Sequence, residues 1–437
     1  MPTLCSQPQR AGLVAVGGAA GLVAACIVLG LGLRADGVRL YLGGPLLAGS
    51  WDPRLPIAAA IPVLVGLVVV ATARIRLPWP GLLGASAVAA AAWAVSLASV
   101  DGRDGLLRGV SSVHDYLADV PRVDSLAGLL SGYVGNISAD AADPWTTHVG
   151  GHPPGALLVF TVLDRLGLGG PGWAAALCIA VGVSALPAVL ITARAVAGEQ
   201  LARAAAPYLV LTPAAVWLAT SADALFLGVS AWGIAALAVA VRATGRSADA
   251  LALAGGVLLG AAVFLSYGLM LLGPLAVAVV VVRRRLRALV VGALGVLAVV
   301  GAFAALGFWW VSGLLTTMER VSEGPAAMSR PSWFFLLANL AVVAIAIGPA
   351  GVAGLGTALG TPARRTAAVV LPLVTLAAVL LADVSLLSKG EVERIYLPFF
   401  GWLLTATALL APRWRTGWLL AQAGTALSVQ LLVRTSW

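Results

Sequence analysis

The sequence predicts an all-α protein that crosses a lipid bilayer many times, and three observations support this fold class. Of its 437 residues, 60% are hydrophobic and only 10% are charged, a composition that excludes an ordinary soluble domain. Apolar runs of about 17–22 residues recur along the chain, each long enough to span a hydrocarbon core roughly 30 Å thick as a helix. None of these runs alternates polar and apolar residues as a barrel strand would, so a helical bundle is expected.

About thirteen candidate spans, within a range of 11–14, can be placed on a single integral membrane domain that comprises residues 1–437. They are 12–33, 57–73, 81–100, 172–193, 205–220, 223–241, 249–265, 267–282, 288–308, 332–352, 366–383, 397–411 and 416–433. A shorter apolar piece, 156–168, contains Asp164 and Arg165 and is predicted to lie at the interface or dip partway into the membrane.

Arginines between the apolar runs predict the orientation. The net charge of +9 would suggest nucleic acid for a soluble protein, but here the arginines stand in short connections, so no nucleic acid partner is expected. The clusters at 283–287 and 364–365 fall on one side if the spans alternate, and that side is predicted to be cytoplasmic. Residues 101–171, a long loop with interfacial helices, and residues 384–396 are then extracytoplasmic, on a multi-pass protein of the bacterial cytoplasmic membrane.

The first polar constellation contains His114, Asp115, Tyr116 and Asp119. On a helical turn the carboxylates of Asp115 and Asp119 would share one face, where one could act as a general base and the other could orient it. The alternative is a solvated amphipathic helix at the interface, with Tyr116 toward lipid.

The second constellation contains His148 and His152, followed by two prolines at 153–154. An HxxxH spacing can present two zinc ligands on a helix, but Gly150, Gly151 and the two prolines oppose a helix here. The prolines instead set the start of the 156–168 helix and place His152 at its mouth, where free N–H groups and the helix dipole favour an anion such as phosphate.

The third constellation contains the only lysine, Lys389, with Glu391, Glu393 and Arg394. Two cations held by two carboxylates form a plausible phosphate clamp, and the alternative is an ion-paired loop with Arg394 reaching the interface. Asp223 stands in a polar break between two apolar runs, so it is expected to face the bundle interior or an outer cavity, or to cap a helix. The aromatic residues around the loop at 318–320 are interpreted as an interfacial belt.

This arrangement resembles the GT-C superfamily of membrane glycosyltransferases, which includes protein O-mannosyltransferases, aminoarabinose transferases of lipid A and actinobacterial cell-envelope mannosyl- and arabinosyltransferases. The superfamily's acidic motif is matched by Asp115-Tyr116 with Asp119, and its basic-Pro-Pro element by His152-Pro153-Pro154. The segments 213–223 and 389–394 resemble later elements, and the likeness covers roughly 100–245 and 383–402. The superfamily's acidic loop normally follows the first span, whereas two extra spans precede it here. Asp36 or Asp52 is therefore the alternative acid.

The resemblance implies that a mannose- or arabinose-type sugar is transferred from a polyprenyl-phosphate donor to a glycan, lipid or protein hydroxyl at the outer membrane face. Transfer would invert the anomeric centre, with Asp115, or else Asp119, as the base. Cations that hold the donor phosphate would be His152, Lys389 and Arg394, and further substrate contacts would be His114, Tyr116, His148, Asp223, Glu391 and Glu393. No metal ligands are predicted, and a divalent cation is left open as a cofactor.

Two other classes of protein fit the same composition. A secondary transporter or flippase of a lipid-linked or anionic substrate would use the outer acids and histidines as a relay, but it should also carry ionisable groups at mid-membrane depth. The sequence has none there apart from Asp223 and Asp383, both near span ends. An inactive relative that serves as an assembly subunit is the third option.

Overall fold

The structure, a computed structural model, describes residues 7–44, 46–219, 221–361 and 367–435. The arginines predicted at 364–365 and the first residue of the span 366–383 lie outside these ranges. The α-helices are α1 Gln7–Ala35, α2 Ala60–Thr72, α3 Trp79–Ala98, α4 Gly102–Leu107, α5 Leu126–Gly132, α6 Thr147–Gly150, α7 Gly155–Arg165, α8 Pro171–Ala197, α9 Glu199–Val210, α10 Ala215–Leu218, α11 Asp223–Ala240, α12 Gly245–Leu265, α13 Gly273–Val282, α14 Leu286–Ala305, α15 Trp310–Glu323, α16 Pro325–Ser329, α17 Ser332–Gly360, α18 Ala367–Val384, α19 Val392–Ile395, α20 Leu397–Leu404 and α21 Arg415–Leu432.

Short 3-10 helices and one small sheet complete the described secondary structure. The 3-10 helices are Ile57–Ala59, Ser99–Asp101, Tyr116–Ala118, Val120–Arg122, Val134–Asn136, Tyr267–Leu272, Thr405–Leu409 and Pro412–Trp414. Strands β1 Gly49–Trp51 and β2 Val433–Thr435 pair antiparallel, with Gly49 opposite Thr435, so the C-terminal end of the described chain is tied to the connection after α1.

Eight helices in the described ranges are long and apolar enough to cross a membrane, which confirms the prediction of an all-α polytopic membrane protein. They are α1, the stretch Trp79–Leu107, α8, α11, α12, α14, α17 and α18. The other five predicted spans coincide with helices that are shorter, interrupted by a 3-10 turn or more polar, so the number of crossings stays a prediction.

Helix α7 covers the apolar piece that was predicted not to cross. Its 11 residues extend about 16 Å, half of a hydrocarbon core. Its first residue, Gly155, packs against the end of α12, where a Cβ would lie 2.3 Å from the Phe264 carbonyl oxygen. The side chains of Leu157 and Phe160 are buried, whereas that of Val162 is exposed. The helix therefore covers the bundle end with one face.

Hydrogen bonds from side chains to main-chain carbonyls fix the long loop before α7. The Tyr133 hydroxyl lies within hydrogen-bond distance of the carbonyl oxygens of Val149 (2.7 Å) and His152 (3.0 Å), between which it shares its one hydrogen. The Trp145 indole N–H donates to the Tyr133 carbonyl (2.9 Å). Tyr133 is completely buried, so these bonds are shielded from water. The 148–152 segment is thereby held in one conformation although its helix, α6, has a single turn.

Glycines let the central helices approach closely. Helix α11 packs on α8 at Gly182 and Gly228, and α12 packs on α14 where a Cβ at Gly256 would lie 1.9 Å from the Gly292 carbonyl oxygen. Small residues at such crossings are typical of membrane helices. This packing fixes Asp223, the first residue of α11, which is 3% exposed.

Helix α17 is broken in its middle at Gly348 and Pro349. Gly348 has φ +70°, a left-handed conformation that glycine adopts without strain. The Gln422 side chain accepts from the Ala350 N–H (3.0 Å) and donates to the Ile347 carbonyl (2.9 Å), which satisfies two main-chain groups that the break leaves without helical partners.

The segment after α18 is shaped by a side chain of α17. Asn339 donates to the Ser388 carbonyl (2.8 Å) and accepts from the Gly390 N–H (3.1 Å). Gly390 (φ +93°) and Glu391 (φ +62°) then turn the chain through left-handed conformations into α19. Because of this sharp turn, the side chains of Lys389 and Arg394 reach different surroundings although the two residues are close in sequence.

Candidate active site

Arg394 lies at the centre of a buried polar cluster. Its guanidinium contacts Asp223 Oδ2 through Nη1 (3.0 Å), and Glu391 Oε2 and His148 Nε2 through Nη2 (2.9 Å each). Burial by itself would lower the pKa of Arg394, but Asp223 and Glu391 raise it, so the guanidinium stays charged. The contact with His148 also places residues 101–171 and 384–396 at the same end of the bundle.

The position of Arg394 fixes the proton on His148. Arginine only donates hydrogen bonds, so His148 Nε2 must be the acceptor in their contact, and the proton of the neutral ring is on Nδ1. Nδ1 faces Asp115 Oδ2 at 3.7 Å, a polar contact that is too long for a hydrogen bond. The imidazole is therefore a spacer whose two nitrogens face a carboxylate on one side and a guanidinium on the other.

Asp115 is held by its own backbone and is 5% exposed. Its Oδ1 accepts from the Tyr116 N–H at 2.7 Å as the cap of the 3-10 helix Tyr116–Ala118, which leaves Oδ2 directed at His148. A carboxylate that is oriented by the main chain and lies beside a neutral imidazole can accept a proton.

His152 lies against aromatic rings beside this cluster. Its ring centroid is 5.9 Å from that of Tyr116 and 5.8 Å from that of Phe226, and Nδ1 donates to the His148 carbonyl oxygen at 2.8 Å. Desolvation lowers the pKa of His152 to about 4, so the ring is neutral at pH 7 and its Nε2 is a hydrogen-bond acceptor. In this neutral form Nε2 suits a hydroxyl donor, and a contact of His152 with the donor phosphate stays a prediction.

Asp119 does not share a helical face with Asp115, contrary to the expectation from their spacing. Two successive 3-10 helices and Pro121 replace the expected α-turn. One Asp119 oxygen pairs with Arg122 at 2.5 Å and the other accepts from the Thr146 N–H at 2.9 Å. Both oxygens thus anchor the loop, and Asp119 is 1% exposed.

The structure places three other predicted residues away from Arg394. The Lys389 ammonium donates to the carbonyl oxygens of Ala327 (2.8 Å) and Arg330 (3.3 Å). Glu393 Oε1 accepts from the Ala48 N–H at 3.0 Å, and burial raises the pKa of Glu393 to about 7. The His114 side chain is exposed.

The alternative acids also lie in other surroundings. Asp36 is exposed, and Asp52 faces Arg54 at 4.0 Å and Arg434 at 3.8 Å, with 44% of its side chain exposed. Asp115, Tyr116, His148, His152, Asp223, Glu391 and Arg394 are the predicted residues that the structure brings together.

Two arginines that support the site were not identified from the sequence. Arg320 donates to the carbonyl oxygens of Ile137 (2.6 Å) and Trp145 (2.9 Å), next to the segment that carries His148. Arg330 donates to the Leu40 and Tyr41 carbonyls (2.8 Å each) and to that of Lys389, and so ties three connections together. The only signal in the sequence was that these two charged residues stand among aromatic residues of the predicted interfacial belt.

No metal site is evident in the described ranges, where no three or more histidine, cysteine, aspartate or glutamate side chains are placed to share an ion. His148 and His152 are joined through a main-chain carbonyl and not as a ligand pair. A divalent cation stays a prediction.

An apolar cavity lies beside the cluster, between the 115–122 turns and α7. Its volume is about 350 Å³, and Leu117, Val120, Phe160 and Leu163 contribute to its walls. Phe160 also contacts Tyr116, with 5.8 Å between ring centroids, so the cavity and the polar cluster share a wall.

Three solved structures are similar to this chain. ArnT from Cupriavidus metallidurans bound to undecaprenyl phosphate is 19% identical, with 60% of this chain and 50% of that chain covered and a TM-score of 0.42. The apo state of the same protein is 18% identical, with 74% and 60% covered and a TM-score of 0.47. The apo oligosaccharyltransferase from Archaeoglobus fulgidus is 12% identical, with 81% and 56% covered and a TM-score of 0.47.

The chain therefore spans only about half to three fifths of the length of these structures. No protein-family model and no curated protein sequence matches it. All three structures are less than 20% identical to this chain, with TM-scores below 0.5.

Proposed function

We propose that the protein is a membrane glycosyltransferase that moves a sugar from polyprenyl phosphate to an acceptor hydroxyl at the outer face of a bacterial cytoplasmic membrane. The observation that supports this most is the placement of Asp115 and Arg394 on opposite nitrogens of the His148 ring. One group can take a proton and the other can hold a phosphate, and both are buried at one end of a membrane bundle.

An inverting displacement needs such a pair of groups. In inverting glycosidases the group that activates the nucleophile and the group that assists departure stand several ångströms apart, with the anomeric carbon between them. Asp115 Oδ2 and Arg394 Nη2 are separated by one imidazole ring and two contacts, a gap of this kind. Sugar and acceptor oxygen would occupy the space in front of that ring.

The reaction would proceed in one step. The acceptor oxygen bonds to the anomeric carbon while the bond from that carbon to the phosphate oxygen breaks, and the electron pair leaves with polyprenyl phosphate. The acceptor proton passes to Asp115. Arg394 stabilises the charge that develops on the leaving phosphate, because its guanidinium is already oriented by Asp223 and Glu391.

Neutral His152 would orient a substrate hydroxyl and would not supply a positive charge. Its Nε2 can accept a hydrogen bond from a hydroxyl of the sugar or the acceptor, and Tyr116 supplies an aromatic wall beside it. The apolar cavity that shares Phe160 with this wall is suited to part of a prenyl chain. Mannose- and arabinose-type sugars are the first donors to test.

The broken helix α17 bears on the alternative of a transporter. Broken helices near mid-membrane depth often expose main-chain groups that coordinate a transported ion. Here the Gln422 side chain accepts a hydrogen bond from the Ala350 N–H and donates one to the Ile347 carbonyl. The Ala214 N–H donates to the Ala346 carbonyl. Those groups are therefore engaged within the protein, and this favours a structural break.

The proposed reaction releases polyprenyl phosphate whichever sugar is transferred, so binding of this product tests the proposal before the sugar is known. Undecaprenyl phosphate is titrated into purified protein and its occupancy is measured by native mass spectrometry. A charge-assisted contact contributes about 1.5–3 kcal/mol, so Arg394→Gln should weaken binding about 10- to 150-fold. Arg103→Gln removes an exposed arginine at the same end of the bundle and should have no effect. Equal binding by wild type and Arg394→Gln would refute the assignment of the phosphate to Arg394.

A further inference from the structure

A second cavity, lined in part by charged side chains, lies at the other end of the bundle. Its volume is about 360 Å³, and it is formed where α11 ends at Ala240 and where α12 and α14 begin. Helix α11 has 18 residues, or about 27 Å, between Asp223 at its start and this end. The cavity therefore lies near the opposite membrane surface and takes no part in the active site.

The charges that line this cavity are not balanced. Arg246, Arg285 and Arg287 face one carboxylate, Asp249. Arg287 forms a two-pronged ion pair with Asp249, with N···O distances of 2.8 and 2.7 Å. Among the residues that the structure describes, the side chains of Arg246 and Arg285 have no hydrogen-bond or ion-pair partner. Two guanidinium groups at this cavity are therefore not paired with a carboxylate.

Neighbouring arginines at the same end are engaged differently. Arg242 donates to the Ala195 carbonyl oxygen (3.1 Å), and Arg283 donates to the carbonyl of Val196 (3.1 Å). These two side chains satisfy the last carbonyl groups of α8, a common role for basic residues at a helix C-terminus. Helix tethering therefore accounts for Arg242 and Arg283, whereas Arg246 and Arg285 are exposed and make no such contact.

An exposed apolar stripe begins beside the cavity and extends along α14. Its residues recur every three or four positions, so they lie on one helix face. They are Leu286, Val290, Leu294 and Leu297, with exposed fractions of 64%, 60%, 56% and 62%. The close α12–α14 contact at Gly256 and Gly292 fixes the position of the two helices relative to each other.

We propose that this cavity binds the phosphate headgroup of an anionic phospholipid whose acyl chain lies along the α14 stripe. Unpaired guanidinium groups suit a phosphate, and basic pockets between membrane helices are suited to anionic headgroups. A soluble anion would use the arginines but not the apolar stripe. The combination of both features on adjacent surfaces favours a lipid.

The test compares lipids and variants on the full protein in detergent. Binding of phosphatidylglycerol and of phosphatidylcholine is measured by native mass spectrometry for wild type, for Arg246→Gln/Arg285→Gln, and for the control Arg74→Gln/Arg76→Gln. The control removes the same charge from two exposed arginines in the connection between α2 and α3. Wild type and control should bind phosphatidylglycerol at least tenfold more tightly than phosphatidylcholine, and the cavity variant should lose this preference.

Three results would overturn the proposal. The first is an unchanged lipid preference in Arg246→Gln/Arg285→Gln, and the second is an equal loss in the control, which would indicate a general effect of surface charge. The third is displacement of phosphatidylglycerol by millimolar inorganic phosphate, which would assign the cavity to a soluble anion. If the double variant is not recovered as a monodisperse protein, Arg285→Gln alone is used and should reduce the preference about threefold or more.

Discussion

Gly150 is predicted to be essential for the position of the segment that carries His148. A Cβ on Gly150 would lie 1.9 Å from Arg320 Nη1, so Gly150→Ala must displace a guanidinium that is bonded to the carbonyls of Ile137 and Trp145. Thr317 also donates to the Gly150 carbonyl (3.3 Å), which restricts movement of the segment away from α15.

The expected loss of stability follows from the two Arg320 hydrogen bonds that the new Cβ would disturb. Each hydrogen bond from a charged donor contributes about 1.5–3 kcal/mol, so loss of one or both costs about 1.5–6 kcal/mol. Alanine in place of a helical glycine returns up to about 1 kcal/mol, because glycine loses more backbone entropy on folding. Gly150→Ala should therefore destabilise the protein by about 0.5–6 kcal/mol and weaken binding of undecaprenyl phosphate.

A double-mutant comparison shows whether the loss of stability comes from the clash between the new Cβ at position 150 and Arg320. Thermal unfolding in detergent is measured for Gly150→Ala, Arg320→Ala and the double variant, with Gly132→Ala as the control because no atom lies within 4 Å of its new Cβ. With Arg320 already truncated, Gly150→Ala should cause no further loss of stability. The reasoning is refuted if Gly150→Ala is as stable as wild type, or if its effect is unchanged in the Arg320→Ala background.

Three further predictions concern the second segment and the topology. Lys389→Met should lower the melting temperature but leave undecaprenyl phosphate affinity within about threefold, because its ammonium binds main-chain carbonyls; a loss as large as that of Arg394→Gln would contradict this. The raised pKa of Glu393, about 7 against an ordinary 4.5, means that stability present below pH 4.5 is lost as pH rises through 7, by about 3 kcal/mol, and Glu393→Gln should remove this slope from the melting temperature. Cysteines at Ser125 and Ser385 should both react with an impermeant maleimide in intact cells, and protection of one alone would break the predicted topology.

Much of the helical framework could be predicted from the sequence because apolar runs of membrane-spanning length are a strong signal. The runs 12–33 and 172–193 lie within α1 and α8, with ends that differ by a few residues. Prediction was weaker where a short helix is stabilised by its neighbours. The one-turn helix α6 forms at 147–150 although it ends on Gly150 and is followed by Gly151, because the Tyr133 hydroxyl binds the carbonyl region of Val149 and His152.

The members of the site were visible as polar residues, but their partners were not. Lys389 and Arg394 looked equivalent as phosphate ligands, and only the left-handed turn at Gly390 and Glu391 directs them to different surroundings. Asp115 was preferred to Asp119 as the base, but their spacing did not show that Asp119 would be held by Arg122 and by the main chain of Thr146.

The central claim is that Asp115 takes the acceptor proton while Arg394 holds the donor phosphate. The most direct measurement is single-turnover sugar transfer by Asp115→Asn, with a polyprenyl-phosphate sugar that wild type uses and with undecaprenyl phosphate affinity measured on the same preparation. A general base contributes about 10²- to 10⁴-fold, so transfer should fall by at least 10²-fold with affinity within about threefold of wild type. Near-normal transfer by Asp115→Asn, with loss in Asp36→Asn or Asp52→Asn instead, would contradict the account.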